Sequence, residues 1–148
     1  MIEGVFIINS TGNLRFIKIY TEEEKPNERE NLIKRIFQSM TNSKEISVIL
    51  DFEYMSNQRK LVYKAFGSIY IALLLDDSEN ELAILDFISV MMQCFDEIFK
   101  GVCELHFIMN PEKIYYIVDE MISGGIVIET SKSEIISNYN EKLKDLDK

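Results

Sequence analysis

The chain has 148 residues, of which 47% are hydrophobic and 28% charged, which suits one soluble domain with a real core. Its formal net charge of −9 argues against nucleic acid, because a phosphate-binding surface gathers Lys and Arg on one face and here only Lys34-Arg35 and Arg59-Lys60 cluster. Two cysteines without a secretory leader exclude a disulfide framework and point to the cytosol, and the longest apolar run, Ile69 to Leu75, is too short to span a membrane.

Residues 4 to 20 read as a hairpin. Val5-Phe6-Ile7-Ile8 is apolar on both faces, so both faces of its sheet should be covered. Asn9 to Asn13 is turn chemistry, and Arg15 and Lys18 are interleaved among Phe16, Ile17 and Ile19 in the second strand. Thr21 to Lys25 is an acidic loop, and Pro26 suits the first turn of a helix. Leu32, Ile33, Ile36, Phe37 and Met40 then form a stripe roughly 140° wide, the width of a helix lying on a sheet.

Residues 46 to 75 read as three strands. Ile46, Val48, Leu50 and Phe52 alternate, Leu61-Val62-Tyr63 follows a polar turn from Ser56 to Arg59, and the apolar Ile69 to Leu75 should be central. A helix from about Leu82 to Phe99 comes next, with Ser78-x-x-Glu81 as a capping box and Gly101 as its stop. Its apolar arc is roughly 220° wide, against the ~100° that packing on one side requires. One flank can pack on the sheet. The remainder needs another cover, either the chain's own C-terminal helices or a partner.

Val102 to Ile108 reads as a short extended stretch. Asn110-Pro111 opens a helix with Ile114, Ile117, Val118 and Met121 on its core stripe, and Gly124-Gly125 ends it. Ser131-x-x-Glu134 caps a C-terminal helix over about 131–146. The chain reads as one domain over residues 1–148 without repeats or linkers. Five strands with one inserted helix, then helices, predict an α+β sheet with helices packed on it.

No catalytic constellation can be assembled, and an enzyme is not expected. Cys94 and Cys103 lack partners at zinc-ligand spacing, and neither a metal nor a cofactor is called for. Cys103 and His106 could be imagined as a nucleophilic pair, but nothing supplies the third orienting group, and packing is the preferred reading. No phosphate-binding glycine loop is present.

Leu61-Val62-Tyr63-Lys64, four residues, then Ile69-Tyr70-Ile71 resembles the signature of the small (sigma) subunits of clathrin-adaptor complexes: two aliphatics, Tyr, Lys or Arg, four residues, Leu-Tyr-Phe. Ile69 and Ile71 depart from that pattern but keep an apolar strand. Gly12, Arg15, Lys18, Val102-Cys103-Glu104-Leu105, Asp119-Glu120-Met121 and Glu129-Thr130 are similar to the same family in the same order, over about residues 1 to 137. Asp77 to Asp86 and Gly124 to Thr130 resemble the sigma subunit of the third adaptor complex in particular.

The resemblance implies a longin-like fold, a five-stranded antiparallel sheet with helices on its faces. It implies a heterotetramer with two large subunits and one medium subunit, peripheral on Golgi or endosomal vesicle membranes, with membrane contact made through the complex. It implies that cargo tails bearing Asp/Glu-x-x-x-Leu-Leu/Ile are partly held by this chain and sorted toward lysosome-like organelles. Two adjacent leucines need neighbouring apolar pockets, and an upstream carboxylate needs a cation. By position, Arg15 is implied as that cation, and Gly67, Ile69, Met92, Val102 and Phe107 as pocket lining. For the four apolar residues plain core is the competing reading, and Met92 and Phe107 are bulkier than the aliphatics expected there. The resemblance also implies that the wide arc of the central helix is shared between the sheet and the signal pocket or a large chain, with Met92 as its cargo position. A longin-type regulatory domain of membrane-fusion machinery is the alternative; it would usually continue into a coiled coil or anchor, and this chain ends at Asp147-Lys148.

Overall fold

A strand that is apolar on both faces must be covered on both, and this requirement organises the molecule. In the computed structural model, which describes residues 1–21, 26–42 and 47–146, β1 (Ile2–Asn9) is buried along its whole length. It pairs antiparallel with β2 (Leu14–Ile19) on one side and β5 (Ile69–Leu75) on the other. β4 (Asn57–Phe66) and β3 (Val48–Tyr54) complete a five-stranded antiparallel sheet in the order β2-β1-β5-β4-β3. Ile69 to Leu75 thus takes the central place its apolar run predicts, and the sheet carries helices on both faces, as the longin-like expectation has it. The expected acidic loop over 22–25, Ile46 and the last two residues lie outside the described residues.

Alternate residues of β1 enter two separate cores. Phe6 and Ile8 meet Leu32, Ile36 and Met40 of α1 (Pro26–Asn42) on one face. Val5 and Ile7 face α2 (Glu81–Phe99) on the other, with α4 (Pro111–Met121) and α5 (Lys132–Leu146) packed against α2 in turn. The wide apolar arc of α2 is therefore covered from within. Ile84, Phe87, Ile88, Met91, Cys94 and Phe95 are buried, Leu85, Val90, Met92, Ile98 and Phe99 are half-buried against the same core, and Leu82 is the large apolar residue left exposed. The implied shared use of this helix shrinks accordingly: the chain's own helices supply most of the cover.

The signature segment is the β4–β5 hairpin. Phe66 pairs with Ile69 across the two-residue turn Gly67-Ser68, so the four residues between Lys64 and Ile69 are the closing rungs and the turn itself. Gly67 adopts φ +60, which suits the first turn position of such a tight hairpin. Tyr63 and Tyr70 meet edge to face at 6.3 Å, and Lys64 donates to Ser89 of α2 at 2.6 Å. The signature thus encodes a strand pair and its attachment to the helix above it.

Several local expectations are corrected. The cap of α2 is Asn80, whose side chain accepts from the Ala83 N–H at 3.1 Å; Ser78 instead bonds the Asp76 carboxylate, two residues too early to cap. The helix ends at Phe99 as expected, but its left-handed cap is Lys100 (φ 52, ψ 52), and the Gly101 N–H that follows reaches back to the Asp96 carbonyl at 3.0 Å. The alternation of β3 breaks at Leu50, which is exposed, because the β3–β4 register shifts between Ile49 and Phe52. The turn before β4 is only Met55-Ser56, both at positive φ, so residues 57 to 59 are strand.

Val102 to Ile108 is not extended: α3 (Glu104–Met109) is a short helix whose single buried residue is Phe107. Gly124-Gly125 does not end a helix directly. The two glycines, both at positive φ, turn a small hairpin between β6 (Ile122–Ser123) and β7 (Ile126–Val127), which hangs on the main sheet through the Ile2 N–H to Gly125 carbonyl bond of 2.8 Å. Ser131 caps α5 as expected, with its hydroxyl 3.5 Å from the Glu134 N–H, but Glu129 takes the Ser131 N–H at 3.2 Å. The box is thus closed by a different carboxylate.

Candidate functional site

Arg15 is placed by an irregularity. Ile7 pairs with Phe16 while Ile8 pairs with Leu14, so Arg15 is the extra residue of a β-bulge. Ile17 and Ile19 pack on the α1 face, and a regular pleat would send Arg15 the same way. The bulge turns it instead toward α3, where its Nε donates to Glu104 Oε1 at 2.9 Å. Glu104 is the first residue of α3, favoured there by the N–H groups of the first turn.

The Glu104 carboxylate ties three elements together. Asn9, nearly buried at the end of β1, donates Nδ2 to the same Oε1 at 2.7 Å, and Ser68 of the β4–β5 turn donates to Oε2 at 3.4 Å. Asn9 is itself held by the turn, since its Oδ1 accepts from Thr11 N–H and Asn13 N–H at 3.1 and 2.8 Å. The hydrogen bonds from Asn9 and Arg15, outweighing burial, hold the Glu104 carboxyl below the usual carboxylate range. Sequence reading did not single out Glu104, Asn9 or Ser68, because their meeting spans 36 to 95 positions of the chain; the one available signal was the polar Glu104 inside the segment shared with the family.

The apolar candidates fall into two groups. Ile69 and Phe107 are core: both are almost wholly buried in the cluster that holds α2, and Phe107 meets Phe95 edge to face with ring centroids 5.5 Å apart. Met92 and Val102 are half-buried against that cluster and offer the accessible apolar surface. Gly67 stands apart at the exposed turn tip, with no atom within 4 Å of where a Cβ would sit. The structure thus gathers Arg15, through Glu104, at the start of the helix that carries Phe107, with Gly67 beside Ser68.

Cys103 and His106 form a helix cap. The Cys103 N–H donates to His106 Nδ1 at 3.0 Å, with Sγ 3.6 Å from the same nitrogen, and the imidazole stacks on Phe99 with centroids 4.5 Å apart. Cys103 is exposed, so packing, the role preferred from sequence, does not describe it. Cys94 is packed, and burial pushes its thiol up to about 11. Among the described residues no three metal-ligating side chains come together, and no helix is long and apolar enough to cross a membrane.

A sheet of this order, clad by α1 on one face and α2 on the other, with the tyrosine-lysine signature on its inner hairpin, is the framework of an adaptor small chain. The clathrin adaptor complex small chain family matches residues 1–145, and the chain belongs to that family. It is an adaptor component, not an enzyme.

Within the family its similarity is to sigma subunits of AP-3 complexes. The AP-3 complex subunit sigma of Dictyostelium discoideum is 35% identical over 144 residues, covering 94% of this chain and 84% of the relative. That of Arabidopsis thaliana is 36% identical over 143 residues, covering 95% and 86%. Human AP-3 complex subunit sigma-2 is 31% identical over 141 residues, covering 93% and 72%. In structure the chain matches one chain of a homology model of the full-length AP-3 complex in a stretched open conformation, with a TM-score of 0.74, 26% identity, and coverage of 99% and 96%.

Proposed function

We propose that this chain is the sigma subunit of an AP-3-type heterotetramer, with two large subunits and one medium subunit. In that complex it helps hold acidic dileucine signals and sort membrane cargo from Golgi or endosomes toward lysosome-like organelles. It would work on the cytoplasmic side, peripheral to the vesicle membrane, touching lipid only through its partners. The observation that carries the reading is similarity to AP-3 sigma chains along nearly the whole length, from several distant eukaryotes.

The site geometry is compatible with the cargo role. Arg15 supplies a cation for the acidic residue, and the half-buried Met92 and Val102 offer apolar surface for the leucines. Ile69 and Phe107 belong to the buried cluster against which both pack, and Gly67 keeps the turn beside Arg15's partners free of a side chain. Purification from cells followed by mass spectrometry should return two large chains and a medium chain in equal amounts. A lone monomer, or fusion-machinery partners instead, refutes the assembly. Arg15→Glu in the assembled complex should weaken binding of a Glu-x-x-x-Leu-Leu peptide by tenfold or more, on the order of the loss of one charge-assisted contact. An unchanged affinity removes Arg15 from the site.

A further inference from the structure

We propose that the flank of α2 above β4 and β3 is a docking groove for an apolar helix of another subunit of the adaptor complex, anchored where Lys64 pairs with a single Asp or Glu of that helix. The inference rests on the assembly reading above. It concerns β4, which lies three strand positions from the strand that carries Arg15.

Lys64 is the sheet cation that the chain does not match. The five-stranded sheet carries five cations, and four of them meet a carboxylate: Arg15 meets Glu104, Lys18 meets Asp119, Arg59 meets Glu3 and Lys60 meets Glu81. Lys64 meets a hydroxyl instead, donating through Nζ to Ser89 Oγ at 2.6 Å, and no carboxylate among the described residues stands within ion-pair distance of it. Ser89 sends its own hydrogen to the Leu85 carbonyl at 3.3 Å, so its oxygen serves Lys64 as a neutral acceptor. An ammonium has three N–H donors, and one bond to a neutral group leaves the charge of this half-buried side chain open to an anionic partner.

The surface beside Lys64 is apolar and continuous. Lys60 reaches Glu81 and Lys64 reaches Ser89, so α2 runs alongside β4: eight helical residues and four strand residues both span about 12–13 Å. Leu82, Leu85 and Ser89 share one face of α2 by their spacing. Leu85 is half-buried, and Leu82 is 72% exposed. Across from the amino end of α2, Leu50 of β3 is 62% exposed and lines an open cavity of about 400 Å³ with Lys60 and Asp77. A helix laid along this flank would cover Leu82 and Leu50, as α4 and α5 cover other parts of α2. Charge selects its composition. Asp77 and Asp86, both exposed on the chain beside the groove, would repel an acidic run, whereas one carboxylate among apolar residues meets Lys64 without that cost.

Two measurements on the assembled complex test this. A carbodiimide, which joins an ammonium to a carboxylate in contact with it, should link Lys64 to an Asp or Glu in an apolar helical stretch of another subunit, read by peptide mass spectrometry. A link from Lys64 only within this chain, or no Lys64 link while other links between subunits form, overturns the inference without any variant having to fold. The second is competition for assembly, with natural and tagged variant chains produced at equal levels in the same cells. Lys64→Gln keeps a donor for Ser89 but lacks the charge, and it should enter the complex about tenfold less than the natural chain, while Lys64→Arg should enter within about twofold of it. Equal entry of Lys64→Gln, or an equal loss for Lys64→Arg, overturns the anchoring charge and leaves the assembly reading standing. A natural chain that recovers no other subunit overturns the assembly reading and this inference with it.

Discussion

Replacing Phe107 by Ala separates core from pocket at the residue where sequence left the two open. The side chain is 1% exposed, and its ring packs edge to face on Phe95, which is wholly buried. Burying a phenylalanine and then truncating it costs about 3–5 kcal/mol, of which the aromatic pair accounts for roughly 0.5–1.5 kcal/mol. Phe107 is the single buried residue of α3, so this short helix can settle partly into the space, which favours the lower figure, about 3 kcal/mol. With a urea dependence of about 2 kcal/mol per molar, the midpoint should fall by about 1.5 M. The assay is urea unfolding of the purified chain followed by circular dichroism, with Met92→Ala, half-buried, as a comparison expected to cost about 1 kcal/mol. A Phe107→Ala shift below about 0.5 M would show that the ring faces an open groove in solution, contrary to its burial here.

Three further perturbations follow from the geometry. Asn80→Ala should destabilise by about 1 kcal/mol in the same assay, and Ser78→Ala by clearly less, because Asn80 is the residue that accepts the Ala83 N–H; the reverse order would restore Ser78 as the cap. Gly125→Ala should cost more than Gly67→Ala. Both need positive φ, worth about 1 kcal/mol or more, but a Cβ at 125 would lie 2.5 Å from the Ile2 carbonyl oxygen while one at 67 meets nothing; equal costs would show that the Gly125 contact is relieved. The third concerns acid. Glu104 is held below its ordinary pKa by Asn9 and Arg15, so its contribution to stability is complete above the unfolded value of about 4.3 and lost as pH falls through the folded one. The stability gap between the natural chain and Glu104→Gln should therefore narrow from pH 7 to about pH 3, and a constant gap refutes the charged pairing.

Much of the fold was written in periodicity and in punctuation. The apolar run of Val5 to Ile8 demanded a sheet covered on two faces, and the stripes of α1 and α4 identified their buried sides, because side-chain direction in regular elements follows from spacing alone. Turns and caps were less legible. Two-residue turns at Met55-Ser56 and Gly124-Gly125 depend on left-handed backbone that several local patterns could host, and α3 is too short for its period to show. The cover of α2 was undecidable from its own residues, since a partner and the chain's own helices call for the same apolar arc.

The candidate site divides in the same way. Sequence determined which residue types were present, a cation at position 15 and apolar side chains at 69, 92, 102 and 107, because a family pattern preserves identities in order. Only the tertiary structure decided what they face. A one-residue bulge turned Arg15 from the α1 side of the sheet to the α3 side, and a carboxylate 89 positions away met it there. Bulges and long-range ion pairs are set by how strands register and helices dock, which no local window of sequence contains.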